Sequence, residues 1–168
     1  MSDTGELTYT RVHRASPELL FDCLTKPEHL THFWGPTGTT TPIESIVVDL
    51  RPGGRFETTM VGGDGGSYTM RATYTEVRRP ERLEWVERAF EAPSGGDADV
   101  SLGGGMRTTI TFVDLRDGRT EVTTRQVNVP APLMAPEARA GFATSLDRLD
   151  AYLEDVSTAV RSDQGARP

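Results

Sequence analysis

The feature that most constrains the fold is one apolar stripe near the C-terminal end of the chain. Its residues recur at intervals of three or four, the spacing of one face of an α-helix: Ala138, Phe142, Leu146, Leu149, Leu153, Val156 and Val160. The other side is charged, with Arg139, Asp147, Arg148, Asp150, Glu154 and Asp155. Such a helix gains most of its stability from packing. The rest of the chain must therefore supply a large apolar surface.

A series of strands supplies that surface. A first strand is predicted at residues 7–14, and six more follow at residues 43–50, 55–61, 67–78, 82–90, 105–115 and 120–129. Glycine-rich turns separate several of them, as at Pro52-Gly53-Gly54 and Asp117-Gly118. Residues 91–104, rich in Gly, Ser and Asp, are predicted to form a mobile loop. We therefore predict an α+β fold in which a curved antiparallel sheet wraps the C-terminal helix.

Two short helices are predicted between the first and second strands. Ser16 is an N-cap residue, and Pro17 stands at the favoured first helical position. Leu20 and Leu24 then follow at helical spacing, and Pro27 ends this helix and begins a second one that runs towards Phe33.

Several short motifs occur in a recognisable order. They are Ser16-Pro17-Glu18, Pro27-Glu28-His29-Leu30 leading to Phe33-Trp34-Gly35-Pro36, Arg51-Pro52-Gly53-Gly54-Arg55-Phe56, Pro80-Glu81-Arg82-Leu83, and Gly141-Phe142 followed by Ser145-Leu146-Asp147-Arg148-Leu149. Together they resemble the helix-grip (START-like, SRPBCC) superfamily, and within it the bacterial group similar to the C-terminal domain of activators of Hsp90 ATPase. The resemblance implies one helix-grip domain at residues 7–160. Residues 1–6 and 161–168 are predicted to be disordered.

Composition excludes several kinds of partner. The 168 residues carry a formal net charge of −7, which disfavours binding to nucleic acid. No apolar run reaches the ~20 residues of a membrane-spanning helix. The N-terminal residues lack the basic and apolar regions of a signal peptide, and Cys23 is the only cysteine. We therefore expect a reduced, cytoplasmic location.

The resemblance implies a cavity between the sheet and the C-terminal helix that takes a small apolar or amphipathic molecule, with no cofactor and no metal ion. Aromatic, methionine and aliphatic side chains suit such a cavity, although part of the set also belongs to the core. The predicted ligand-binding residues are Phe33, Trp34, Phe56, Met60, Tyr68, Met70, Tyr74, Trp85, Glu87, Met106, Ile110, Phe112, Phe142 and Leu146.

Glu87 is the candidate for chemistry. Strand alternation puts it on the same face as Trp85, and a buried carboxylate either finds a partner or has its pKa raised. It could then orient a ligand hydroxyl or act as a general acid or base. The alternative is an ion pair with Arg71, Arg107 or Arg125 on a neighbouring strand. A register shift of one residue would turn Glu87 to solvent.

Other reactive residue types give weaker signals. His29 and His32 lie three residues apart on a predicted helix, but no third ligand stands at a telling distance, so they are interpreted as surface residues. Cys23 has no basic neighbour that would activate it and is predicted to be buried and unreactive.

Three functions stay open at this point. The first is ligand binding, and the second is a cofactor-free cyclase, aromatase or lyase that uses Glu87 and a Tyr or Arg of the cavity. The third, carried by the resemblance alone, is an interaction module for an Hsp90-type chaperone. A monomer and a homodimer are equally compatible with the sequence.

Overall fold

A curved antiparallel sheet is the largest part of the structure. The structure is a computed structural model that describes residues 4–63, 65–91 and 100–165. In chain order its elements are β1 (Thr4–His13), α1 (Pro17–Thr25), α2 (Pro27–Phe33), β2 (Thr39–Thr40), a 3-10 helix (Ile43–Ser45), β3 (Val47–Val48), β4 (Arg55–Gly62), β5 (Ser67–Arg78), β6 (Arg82–Glu91), β7 (Val100–Asp114), β8 (Thr120–Pro130), α3 (Ala131–Met134) and α4 (Pro136–Gly165).

The strand order is β1-β8-β7-β6-β5-β4-β2, and β3 also pairs with β4. From β4 to β8 the chain is a meander, as predicted, in which each strand pairs with the next. β1 then pairs with β8 along its whole length, from Thr4 opposite Pro130 to His13 opposite Thr120. This pairing brings the N-terminal strand beside the strand that leads into α3 and α4. The fold is the predicted α+β helix-grip architecture.

The two short helices begin and end where the sequence predicts. The backbone N–H of Leu19 donates to Ser16 Oγ at 3.2 Å, which satisfies one of the free donors at the start of α1. Leu20 and Phe21 of α1 and Leu30 of α2 are fully buried. These helices cover one part of the inward face of the sheet.

Helix α4 covers the other part. Leu149 and Leu153 of its apolar stripe are buried in the core. Arg148 donates to the carbonyl oxygens of Gly35 at 2.8 Å and Pro36 at 3.1 Å, so it ties the helix to the segment after α2. On the opposite side, Arg11 of β1 donates to Asp147 at 2.9 Å. Among the helices of the described segments, none is both long and apolar enough to cross a membrane.

The boundaries differ from prediction at both ends. β1 begins at Thr4, within the segment 1–6 that was predicted to be disordered, because its first residues pair with the end of β8. Helix α4 continues to Gly165, into the predicted tail 161–168. Residues 1–3 and 166–168 lie outside the described residues.

Two internal predictions also need correction. Residues 43–50 form a 3-10 helix and a two-residue strand rather than one long strand. Ser45 Oγ donates to the carbonyl of Pro42 at 2.7 Å and accepts from the Thr59 backbone N–H at 3.2 Å, so a side chain replaces part of the strand pairing. The predicted loop 91–104 is shorter, because β6 reaches Glu91 and β7 begins at Val100. Residues 92–99 lie outside the described residues.

Candidate functional site

A cavity of about 340 Å³ lies between the sheet and α4. Strands β4 to β8 form its floor, while α1, α2, α3 and α4 contribute to the walls. On β8, the inward residues Val122, Thr124 and Gln126 line it in succession. Five residues of a strand extend about 13 Å, so the cavity is elongated along the strand direction.

Most of the residues predicted for ligand binding line this cavity. They are Phe33, Trp34, Met60, Met70, Trp85, Glu87, Met106, Ile110, Phe142 and Leu146. Trp34 is held in place by the hydrogen bond that its indole N–H donates to Thr58 Oγ1 at 3.0 Å. Phe142 packs against Tyr9 of β1, with ring centroids 4.2 Å apart.

Four predicted residues are not among those that line the cavity. Phe56 and Tyr74 stack on each other in the core, with ring centroids 5.4 Å apart. Phe112 packs against Phe21 of α1, at 5.7 Å between centroids. Tyr68 is half-buried on β5 opposite Met60. Phe56, Tyr74 and Phe112 belong to the buried core, so their predicted inward face is correct, but they are not part of the cavity lining.

Several lining residues were missed by sequence reasoning. Small or polar residues of α4, of β7 and β8 and of the segment after α2 lie in the wall, among them Gly35, Thr108, Gln126, Ala138, Gly141 and Ser145. Small residues on the apolar side of α4 are a signal that could have been noticed, since they leave room beneath a helix. His13 is the other omission, and its partner lies far away in the sequence.

Glu87 is buried in the wall of the cavity, on the face that strand alternation predicts. Its Oε1 accepts hydrogen bonds from the Trp85 indole N–H at 2.9 Å and from the Thr108 hydroxyl at 3.4 Å. Burial raises the pKa of Glu87 to about 7, although the two hydrogen bonds oppose this shift. Near neutral pH the carboxyl group can therefore be present in both protonation states.

The alternative interpretation of Glu87 as half of an ion pair is wrong. Arg107 donates to Glu84 at 3.2 Å, and Arg125 donates to Glu6 at 2.7 Å. Arg71 Nε lies 3.8 Å from Glu57 Oε1. Among the described residues, no cation pairs with Glu87.

Glu84, three residues earlier on β6, is a carboxylate of the same strand that does have cationic partners. It points to the opposite face and accepts hydrogen bonds from Thr75 at 2.8 Å and Thr109 at 2.9 Å. Partial burial raises its pKa, but these hydrogen bonds and the charges of Arg107 and Arg82 outweigh that effect, so the pKa of Glu84 is lowered. The two glutamates thus have opposite pKa shifts.

A second polar group of the wall is His13, at the end of β1. The imidazole is almost completely buried, and its Nδ1 lies 2.6 Å from Asp150 Oδ1 on α4. Arg11 Nη1 donates to the other oxygen of Asp150 at 3.1 Å. His13 Nε2 is buried and has no hydrogen-bond partner among the described residues.

The other histidines and the cysteine lie away from this site. His29 Nδ1 is 2.5 Å from the Tyr152 hydroxyl, and His32 stacks on the same ring at 4.9 Å, so both residues pack α2 against α4. Cys23 is buried, and burial, with a smaller effect of Asp22, raises the pKa of its thiol to about 12. In the described part of the chain, no three His, Cys, Asp or Glu side chains cluster as metal ligands would.

A curved antiparallel sheet and a long helix that enclose a cavity define a helix-grip protein. Residues 14–154 match the sequence model described as "Activator of Hsp90 ATPase homolog 1-like protein". Because this match spans most of the chain, the protein belongs to that family. The resemblance inferred from the sequence is therefore confirmed. Among curated protein sequences, none matches significantly.

Solved structures of bacterial proteins share the fold. A protein from Chromobacterium violaceum is 23% identical, with a TM-score of 0.71, and the match covers 88% of this chain and 96% of that one. The AHSA1 protein from Silicibacter pomeroyi is 22% identical, with a TM-score of 0.73 and coverage of 89% and 98%. A protein from Nitrosomonas europaea is 24% identical, with a TM-score of 0.73 and coverage of 89% and 94%. At these identities the likeness shows the fold alone.

Proposed function

We propose that the protein binds a small, mostly apolar molecule in the cavity between the sheet and α4. The observation that carries this proposal is the unfilled space of about 340 Å³ between α4 and the sheet. Pockets for small molecules begin at about 300 Å³ and are lined mainly by apolar and aromatic side chains. Trp34, Trp85, Met60, Met70 and Met106 give this wall that character. The fold is one that commonly binds hydrophobic ligands.

The polar part of the ligand would lie at Glu87. The donors from Trp85 and Thr108 both reach Oε1, and no described residue donates to Oε2. A proton on the buried carboxyl group would therefore sit on Oε2, where it could be donated to a ligand carbonyl. The ionised group would instead accept a hydrogen bond from a ligand hydroxyl or amine. The proposed ligand is thus apolar over most of its surface and carries one hydrogen-bonding group.

The test uses N-phenyl-1-naphthylamine, a neutral aromatic amine whose fluorescence rises in apolar surroundings. Trp34 and Trp85 are the only tryptophans, and both line the cavity. We expect one probe molecule to bind per chain and to quench tryptophan emission by energy transfer. Ala138→Phe, which places a ring in the cavity wall, should weaken binding by about tenfold or more.

Ala151→Phe is the matched control, because Ala151 lies on the exposed side of the same helix. It should bind the probe as the unmodified protein does. Thermal unfolding of both variants checks that they remain folded. Equal probe affinity in the Ala138→Phe variant, or no saturable binding by the unmodified protein, would contradict the proposal.

A second candidate function is acid–base catalysis without a cofactor, and the environment of Glu87 favours it. A carboxyl group whose pKa lies near 7 in a mainly apolar cavity can both donate and accept a proton. Glu87→Gln keeps the shape of the side chain and removes its titration. A binding protein should keep its affinity for N-phenyl-1-naphthylamine within a few-fold, whereas an enzyme should lose turnover of any substrate found for it.

A further inference from the structure

His13 contains a buried hydrogen-bonding atom that no described part of the chain satisfies. Its side chain is 1% exposed, and its ring forms part of the cavity wall. Asp150 binds Nδ1, while Nε2, on the other side of the ring, has no partner within the described residues. Buried polar atoms without a partner are rare in folded proteins. An unpaired nitrogen on a residue that lines the cavity therefore points to a partner that comes from outside the chain. Because neighbouring atoms cover Nε2 itself, such a partner reaches it only when these atoms move slightly.

Asp150 determines which nitrogen of the ring carries the proton. An ionised carboxylate only accepts hydrogen bonds, so His13 Nδ1 must be the donor in the 2.6 Å contact. In the neutral imidazole, Nε2 is then left as an acceptor. Arg11 bridges Asp150 and Asp147 and so keeps the carboxylate in place. With a neutral imidazole, Nε2 takes a hydrogen-bond donor such as a hydroxyl group, whereas a protonated ring would itself donate from Nε2.

The strand register places His13 and Glu87 towards opposite ends of the cavity. His13 pairs with Thr120 at the start of β8. Glu87 pairs with Met106 of β7, whose next residue pairs with Val127 of β8. From Thr120 to Val127 the backbone of a strand advances about 23 Å. The distance between the two polar side chains is shorter than this, because both point into the cavity. The two polar groups would therefore contact different ends of an elongated molecule.

We propose that His13 Nε2 accepts a hydrogen bond from the far hydroxyl of an elongated ligand that has an apolar middle. This proposal rests on the proposed ligand binding and adds a second, directional contact to it. The ligand class is a long-chain or multi-ring molecule with a hydroxyl or phenol at the end that reaches α1, where Leu20 and Leu24 line the cavity. Asp150 acts only by positioning the imidazole.

The test compares the α,ω-diols of eight, ten and twelve carbons with the 1-alkanols of the same lengths. Each compound competes with N-phenyl-1-naphthylamine for the cavity. A second hydroxyl that finds no partner in an apolar pocket weakens binding, whereas a paired one is nearly neutral. In the unmodified protein, we expect one diol to bind with an affinity within about threefold of that of its alkanol. In His13→Phe the same diol should bind about tenfold more weakly than its alkanol, whose own affinity should be little changed.

Asp155→Asn is the matched control, because Asp155 is an exposed acidic residue of the same helix and takes no part in the contacts among Arg11, Asp150 and His13. It should leave the ratio of diol to alkanol affinity unchanged. A merely structural role of His13 would weaken the alkanol and the diol equally in His13→Phe. That result would overturn the proposal.

Nitrogen-15 NMR of the imidazole rings gives a readout that does not depend on a variant. The chain has only three histidines, and His29 and His32 do not line the cavity, so they serve as internal references. Before ligand is added, His13 should show a protonated Nδ1 and an unprotonated Nε2. The tight-binding diol should shift the Nε2 resonance towards the hydrogen-bonded range, while its alkanol should not.

The possible failures are distinguishable. If neither alkanols nor diols compete with the fluorescent probe, the proposed binding of elongated apolar molecules fails, and this inference fails with it. If alkanols bind but every diol is much weaker in the unmodified protein, ligand binding stands and the role of His13 is refuted. A proton on Nε2 of the unliganded protein would refute it as well.

Discussion

At the scale of single residues, two glutamates on one strand show how the surroundings determine the chemistry of a carboxyl group. Glu84 and Glu87 lie three residues apart on β6 and therefore face opposite sides of the sheet. Two hydroxyl donors and two arginines surround the carboxylate of Glu84, whereas Glu87 has only two neutral hydrogen-bond donors. Burial therefore dominates at Glu87 and raises its pKa.

This difference predicts opposite effects of pH on stability. The folded protein holds a proton on Glu87 up to a pKa of about 7, whereas the unfolded chain loses it near the ordinary value of 4.5. Between these values the folded state binds more protons, so its stability falls as pH rises. Relative to Glu87→Gln, the unmodified protein should lose up to about 3 kcal/mol of unfolding free energy between pH 4 and pH 8. Urea unfolding at a series of pH values measures this loss.

Glu84→Gln is the control and should show the opposite slope. Because the folded pKa of Glu84 is lowered, its ionisation stabilises the folded state, and that contribution disappears as pH falls. The stability difference between the unmodified protein and Glu84→Gln should therefore grow with rising pH. Parallel slopes for the two variants would show that Glu87 is not held as a buried neutral acid.

At the scale of elements, the way in which α4 is attached explains why a cavity remains beneath it. Arg148 binds backbone carbonyls of Gly35 and Pro36, and Arg11 binds Asp147 and Asp150, so polar contacts hold both sides of the helix. Leu149 and Leu153 anchor its later turns in the core. The earlier turns, which carry Phe142 and Leu146, lie over the open space.

Loss of the Arg148 contacts should loosen this attachment. Arg148→Ala leaves the carbonyls of Gly35 and Pro36 without their charged donor, and we expect a loss of about 1–3 kcal/mol in unfolding free energy. Arg139→Ala is the matched control, because Arg139 is exposed on the same helix, and its effect should stay within about 0.5 kcal/mol. Equal effects in urea unfolding would show that Arg148 contributes nothing specific.

The elements could be predicted from the sequence wherever a local pattern determines them. The cap at Ser16, the proline at position 27 and the alternation along β5 were sufficient for α1, α2 and the long hairpins. Residues 43–50 were not predictable in this way, because a hydrogen bond between Ser45 and Thr59, on another strand, decides their conformation. The pairing of β1 with β8 is likewise a contact between distant segments.

The sequence was sufficient to predict which side chains of the candidate site point inward, but not which of them line the cavity. Strand alternation correctly placed Glu87, Trp85 and Met106 on the inward side. It could not tell that Phe112 would pack against Phe21 of α1 rather than line the cavity, since that depends on where each helix lies. The role of His13 depends on Asp150, which is 137 residues away, and no local pattern reveals it.

At the scale of the whole molecule, the fold is a sheet whose inward face is divided in two. One part packs against α1 and α2 and forms an aromatic core around Phe56 and Tyr74. The other part lies under α4 and encloses the cavity. Three titratable residues, Glu87, His13 and Glu137, interrupt an otherwise mainly apolar wall.

The most direct test of this account is methyl NMR of the methionines with N-phenyl-1-naphthylamine. Met60, Met70 and Met106 line the cavity, while Met134 packs against Gly5 outside it. Ring currents from a bound aromatic probe should shift the methyl resonances of the three cavity methionines and leave Met134 almost unchanged. If the probe binds but shifts only Met134, or none of the four, the cavity beneath α4 is not the binding site.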